Sequence, residues 1–165
     1  MILTGKEIQK ELQLKRITIY PFNTEQLNPN SYNYRISDYI AIPEFDKKTN
    51  QTTYTTITIP QDGYILEPGC TYLSHTYEKL GSNKYAMSLI GRSSLGRLGL
   101  FLQVSADLGH TCSVHNWTLE IVSCKRFIIY PRMVIGQISF WENYGTYYDS
   151  NIRYNKYDFL TASID

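Results

Sequence analysis

The feature that most constrains this chain is its punctuation. Short runs rich in β-branched and aromatic residues recur about every ten residues, and each ends at a Pro, Gly or Asn turn. Ile17–Tyr20 stops at Pro21, and Tyr32–Ile36 follows Leu27-Asn28-Pro29-Asn30. Thr52–Ile59 is bounded by Pro60 and the Asp62-Gly63 turn. Tyr64–Leu66, Thr71–His75, Tyr85–Ile90, Leu100–Val104, Trp117–Ser123, Phe127–Tyr130 and Gln137–Trp141 continue the series. Such spacing predicts an all-β, mainly antiparallel barrel or sandwich. No interval carries a helical crossover pattern, which disfavours a parallel Rossmann-type sheet. One short helix is predicted, from Gly5 to about Leu12. Thr4 and Glu7 form a capping box, Leu3 and Ile8 occupy the staple positions, and Ile8 and Leu12 share a face. Asp46–Thr53 reads as a polar hairpin loop. The stretch 143–165 is rich in Tyr and Asn without periodicity, and is expected to be an ordered arm or a flap of the same single domain, 1–165.

The 165 residues allow one core of ordinary size, and 42% hydrophobic residues suffice to build it. Sixteen Lys/Arg against fifteen Asp/Glu leave a net charge of +1. A broadly basic nucleic-acid surface and an acidic disordered chain are therefore both excluded as leading readings, and any cationic site must be local. Fifteen tyrosines predict strands with half-wet faces. Cys70, Cys112 and Cys124 form no CxxC and cannot all pair, so reduced thiols are expected. MILTGKEIQKEL lacks the apolar core of a signal peptide, and no run approaches a membrane span. The expectation is a cytoplasmic protein with no membrane and no nucleic-acid polymer as partner.

Gly91-Arg92-Ser93-Ser94-Leu95-Gly96-Arg97-Leu98-Gly99 gathers three glycines, two arginines and two serines. Glycine lets backbone amides approach an anion, serine adds a hydroxyl, and arginine offers a fork matched to phosphate oxygens. The segment narrowly misses the P-loop GxxxxGK[ST], because Arg97 replaces Lys and Leu98 the hydroxyl that would meet magnesium. An anion site and a glycine-rich turn with solvated arginines remain equal readings of these residues alone. Further on, Glu120 is the one acid in Trp117-Thr118-Leu119-Glu120-Ile121-Val122. Strand alternation puts Thr118 and Glu120 on one face, with Leu119 and Ile121 on the other. Such a carboxylate must find a partner, face a cavity or be protonated, or else points outward from an edge strand. His110, Cys112 and His115 match no zinc spacing, and the H-x-E and P-C-x-x-C pair of zinc deaminases is missing from the sequence. They read as a loop with two ordinary histidines and an idle thiol.

The Gly91–Gly99 block, followed 23 residues after Arg97 by Glu120 in a W-T-L-E strand, resembles the dCTP deaminase branch of the dUTPase-like superfamily. The opening helix, Leu27–Tyr32, Gly69–Leu73 and Tyr130–Gln137 are similar to further segments of that family. The resemblance implies a β-clip, distorted-barrel fold assembled as a homotrimer with sites at subunit contacts. It also implies deamination of a cytosine nucleotide, dCTP to dUTP plus ammonia, without zinc and with Mg2+ entering on the triphosphate. By position, Glu120 would be the general acid/base. Ser93 and the backbone of Ala106 would hold the water, and Arg97 would orient Glu120. Arg92 and Ser94, with the backbone of Leu95 and Gly96, would bind phosphate, and the backbone of Thr118 and Leu119 would read the cytosine edge.

The departures concern the periphery. A sugar-contacting Asp of many relatives, which activates water in dUTPases, falls at His110, and a His common before V-T-A is Gln103. In the tail, K-Y-x-x-Q appears as Arg153-Tyr154-Asn155-Lys156-Tyr157, with Tyr147 or Tyr148 near the expected tyrosine contact. Arg153 can replace a phosphate-binding Lys, but Tyr157 does not replace Gln. Two competing readings follow: a nucleotide-binding regulator that has lost catalysis, and a dUTP or nucleotide pyrophosphatase, which the loss of the acid at His110 disfavours.

Overall fold

A computed structural model describes residues 1–146. Helix α1 (Gly5–Gln13) is followed by β1 (Ile17–Tyr20), β2 (Tyr32–Arg35), β3 (Tyr39–Asp46), β4 (Gln51–Thr58), β5 (Tyr64–Leu66), β6 (Thr71–His75), β7 (Lys79–Ser82) and β8 (Ala86–Gly91). A single-turn helix α2 (Ser93–Gly96) leads to β9 (Leu100–Leu102), β10 (Leu108–Gly109), β11 (Ser113–His115), β12 (Thr118–Ser123), β13 (Phe127–Ile129) and β14 (Val134–Trp141). The strands form four antiparallel sheets, ordered β1–β7–β11, β10–β8–β14–β2, β4–β3–β6–β12–β9 and β13–β5. The all-β expectation holds, and β1, β5 and β6 have the limits their residues predict. Among the described residues no helix is long and apolar enough to cross a membrane.

The cap of α1 forms as predicted on one side only. Thr4 Oγ1 accepts from Glu7 N at 3.4 Å, whereas the Glu7 carboxylate turns to Lys10 Nζ at 2.9 Å instead of closing the box. Ile8 is fully buried, and Leu3 and Leu12 pack against the same core. The hairpin loop also appears, but tighter than predicted. β3 and β4 pair as far as Asp46↔Gln51, and Asp46 accepts from Lys48 N and Thr49 Oγ1 across the turn.

Four strands escape the pattern. β3 contains Pro43, which usually argues against a strand, but β3 pairs with β6 only at Ala41, so the proline lies beside a free edge. β7 contains Gly81, whose Cβ would lie 2.6 Å from Val114 Cα of β11; the strand needs a residue without a side chain there. β10 and β11 are too short to show alternation, and β11 turns the expected His110–His115 loop partly into sheet.

Tyrosine also behaves differently from the half-wet expectation. Tyr32, Tyr34, Tyr72 and Tyr85 are core residues, exposed by at most 3%. Each hydroxyl finds a partner: Asn23 N at 3.1 Å, Ile90 O at 3.2 Å, Glu67 N at 2.9 Å and Glu11 Oε2 at 2.8 Å. A satisfied hydroxyl removes the cost that would keep tyrosine at the surface.

Candidate functional site

The glycine-rich segment begins where β8 leaves its sheet at Gly91, opposite Gly136 of β14. Arg92 is extended, and its carbonyl accepts from Leu95 N and Gly96 N at 3.0 and 2.9 Å, which winds the single turn of α2. Leu95 anchors that turn in the core, so it can offer a ligand only its backbone. Gly99, at φ +87°, then redirects the chain into β9, a conformation that other residues adopt at a cost. The result leaves Ser93, Ser94 and Arg97 exposed, with Arg92 and Gly96 half-buried.

Charge pairing separates these two arginines from the others. Arg16 pairs with Glu11, Arg35 with Glu78, Arg126 with Glu67 and Arg132 with Asp38. Among the described residues, Arg92 and Arg97 pair with no carboxylate. They are the local cations that a net charge of +1 required.

β12 alternates as predicted. Leu119 and Ile121 are fully buried, and Thr118, Glu120 and Val122 are half-buried on the opposite face. Contrary to the edge-strand alternative, β12 lies inside its sheet, between β6 and β9. Glu120 sits opposite Leu73, and its carboxylate forms no hydrogen bond or ion pair with a described residue. The surrounding face carries Ala41, Leu73 and Val122 together with exposed Tyr39, Phe45 and Phe101. The same face also carries Thr118, His75 and Thr71, so one acid stands on a mixed face, buried at Ala41 and Leu73 and exposed at its aromatic residues.

Backbone contacts link the start of the glycine-rich segment, the end of β9, β12 and the Ala106 loop. A Cβ on Gly91 would lie 3.5 Å from Leu102 N, so the start of the Arg92–Ser93 segment rests against the last residue of β9. The next rung holds Glu120, whose backbone N–H donates to Gln103 Oε1 at 2.8 Å. Gln103 Nε2 donates to Ala106 O at 3.3 Å. The loop then returns to β8, where Leu89 N donates to Asp107 O at 2.8 Å and Ser88 Oγ to Asp107 Oδ2 at 2.6 Å. Arg97 lies elsewhere. The chain after it is tied through Gly99 O to Cys124 N at 2.9 Å, four residues beyond Glu120 or roughly 13 Å along an extended strand. Within this chain Arg97 makes no ion pair with Glu120.

His110 is exposed just after β10, whereas His115 is buried against the Trp117 ring at 4.2 Å. Among the described residues no three His, Cys, Asp or Glu side chains cluster as metal ligands. Cys70, Cys112 and Cys124 are free thiols. A groove of about 420 Å³ beside α1, lined by Thr4, Lys6, Gln9 and Asn28 among others, contains none of the predicted residues. Tyr148, Arg153 and Tyr157, with most of the expected arm, lie outside the described residues. Sequence reasoning marked Gln103 only as a departure from a family pattern, and missed Asp107 and its bond to Ser88.

Comparison with known proteins identifies the family. The family described as dCTP deaminase-like matches residues 2–143. A protein of Clostridium beijerinckii named dCTP deaminase, dUMP-forming, is 43% identical over 150 residues, covering 89% of this chain and 86% of its own. A protein of Hathewaya histolytica with the same name is 44% identical over 151 residues, with the same coverages. A protein of Rhodopirellula baltica named dCTP deaminase is 40% identical over 144 residues, 86% of this chain and 72% of its own. The crystal structure of 2'-deoxycytidine 5'-triphosphate deaminase from Agrobacterium tumefaciens superposes with a TM-score of 0.70 at 20% identity. It covers 86% of this chain, which spans about half (48%) of that longer one, and shows a shared fold. By the extent of the family match and the identity of these relatives, the chain belongs to the dCTP deaminase-like family.

Proposed function

We propose that this protein deaminates a cytosine nucleotide, dCTP, by hydrolysis to dUTP and ammonia, with magnesium entering as part of the triphosphate substrate. The observation that carries the reading is a carboxylate on the interior strand β12, Glu120, that pairs with no described residue, in a chain whose Arg92 and Arg97 also pair with no acid of the described residues. Relatives named for dCTP deamination support the same substrate.

In this reading Arg92, Ser94 and the backbone of Leu95 and Gly96 bind phosphate, while the backbone of Thr118 and Leu119 meets the cytosine edge. Ser93 and Ala106 hold a water near Glu120. Glu120 takes a proton from that water as its oxygen attacks C4, and delivers a proton to N3. Glu120 then moves the proton of the new C4 hydroxyl to the amino nitrogen; the C4–N bond breaks, the C4 carbonyl forms and ammonia leaves. General acid–base catalysis of this kind contributes about 10²–10⁴-fold. Such catalysis works best in a site from which water is excluded. Exposed Tyr39, Phe45 and Phe101 on the face of Glu120 support a homotrimer in which a neighbouring subunit covers them. Such an assembly would also let a neighbour supply the cation that Arg97 does not provide to Glu120 within one chain. Proton transfer is assigned to Glu120 by its position in the family resemblance, in a sequence that lacks the H-x-E and P-C-x-x-C pair of zinc deaminases.

Purified protein with dCTP and magnesium is expected to release ammonia. Glu120→Gln should lower turnover at least a hundred-fold while the trimer persists by sedimentation. Absence of turnover on dCTP, CTP, dCMP and modified cytosine nucleotides would sink the reading. A second reading, onward hydrolysis to dUMP and pyrophosphate, is favoured by the names of the Clostridium and Hathewaya relatives and opposed by His110 in place of Asp. Phosphorus NMR of the products separates the two.

A further inference from the structure

We infer that Gln103 is a positioning residue that couples Glu120 to the Ala106 loop, a role specified by its side-chain amide; the inference rests on the proposed deamination. In an antiparallel pair, Gln103 and Glu120 would exchange two backbone bonds at the rung after Ile121↔Leu102. One of them forms, from Gln103 N to Glu120 O at 3.2 Å. The second cannot form in the usual way, because Gln103 stands at φ +49° and the chain turns out of the ladder there. The side chain replaces it: Gln103 Oε1, not its main-chain oxygen, accepts from Glu120 N at 2.8 Å. The rung that carries the proposed acid/base is therefore closed by a side chain.

The other end of the same amide donates to Ala106 O at 3.3 Å. Ala106 O has a second lone pair, which stays available for the water assigned to it. One planar group thus sets the spacing between the Glu120 backbone and the carbonyl proposed to hold the nucleophile. The two partners fix the residue type. Glu120 N–H requires an acceptor and Ala106 O a donor, and both must lie at the end of one side chain. A carboxylate is acceptor-only, an ammonium donor-only, and a thioether makes neither bond well. Gln103 also keeps a left-handed backbone, so this conformation is held by the contacts it serves.

The test compares wild type with Gln103→Met and Gln103→Glu, both of which retain an unbranched side chain at the same backbone angle. Gln103→Met removes both bonds, and kcat on dCTP is expected to fall about ten- to a hundred-fold with KM changing less than about three-fold. Gln103→Glu keeps the acceptor for Glu120 N and loses the donor to Ala106, so its kcat should lie between the two. Amide hydrogen exchange at Glu120 should accelerate in Gln103→Met and remain near wild type in Gln103→Glu. An active wild type whose Gln103→Met variant keeps its kcat, or raises KM instead, overturns the role of Gln103 while leaving the reaction standing. Unchanged exchange at Glu120 in Gln103→Met overturns it as well. A wild type that releases no ammonia overturns the reaction and, with it, any positioning for that reaction.

Discussion

Glu11 offers a perturbation whose sign and size both follow from geometry. It lies on α1, a helix of nine residues, too short to be stable alone, and is only 2% exposed. Its carboxylate accepts from the Tyr85 hydroxyl at 2.8 Å and from Arg16 Nη1 at 3.1 Å, with Lys84 Nζ at 3.7 Å. Burial alone would raise the carboxyl, but the Tyr85 hydroxyl, Lys84 and Arg16 outweigh it and hold it below its ordinary value of 4.5. A group held low contributes stability that is in place above the unfolded value and is lost as pH falls through the folded one. Glu11→Gln keeps the volume and one acceptor but removes the charge. Charge-assisted bonds contribute about 1.5–3 kcal/mol, and Arg16 and Lys84 are each about half exposed, so screening reduces the loss to about 1–2 kcal/mol at pH 7. Urea denaturation of both proteins at pH 7 and at several points below pH 4.5 measures the difference. The gap should narrow with acidification, because protonated Glu11 is neutral like Gln. A gap that stays constant, or widens in acid, would refute the reasoning.

Two further outcomes test the fold and the anion segment. A Cβ on Gly136 would overlap the buried ring of Tyr34, whose hydroxyl donates to Ile90 O just before the glycine-rich segment. Gly136→Ala should therefore cost about 1–3 kcal/mol by overpacking, read as a lower denaturation midpoint; an unchanged midpoint would show that the ring can shift freely. Arg92→Gln should raise KM for dCTP about ten-fold or more, as expected for a lost charge-assisted bond, and should barely affect deoxycytidine. Equal effects on both substrates would remove Arg92 from phosphate binding.

Much of this protein was legible before any coordinate. Local chemistry sufficed for the cap at Thr4, the strands that stop before Pro21 and Pro60, and the alternation that turns Glu120 away from Leu119 and Ile121. The segment Gly91–Gly99 was also local, since glycine, serine and arginine within nine residues already describe an anion-binding composition. The buried tyrosines were not legible, because satisfying Tyr34 and Tyr85 depends on Ile90 and Glu11, 56 and 74 residues away. Gly81 likewise looks like a weak point in a strand until Val114 is brought against it.

The sequence by itself determined the all-β class, the short capped helix and the residue types of the candidate site, because these rest on periodicity and on neighbours in the chain. Tertiary structure alone decided which of those residues meet. It set Arg92 and Arg97 apart by pairing the other described arginines, and it put Glu120 half-buried on an interior strand. Through one left-handed residue and a borrowed rung, it joined Gln103, Glu120 and Ala106. Contacts across 17 residues, such as that between Gln103 and Glu120, leave no period in a sequence; they exist only once β9 and β12 lie side by side.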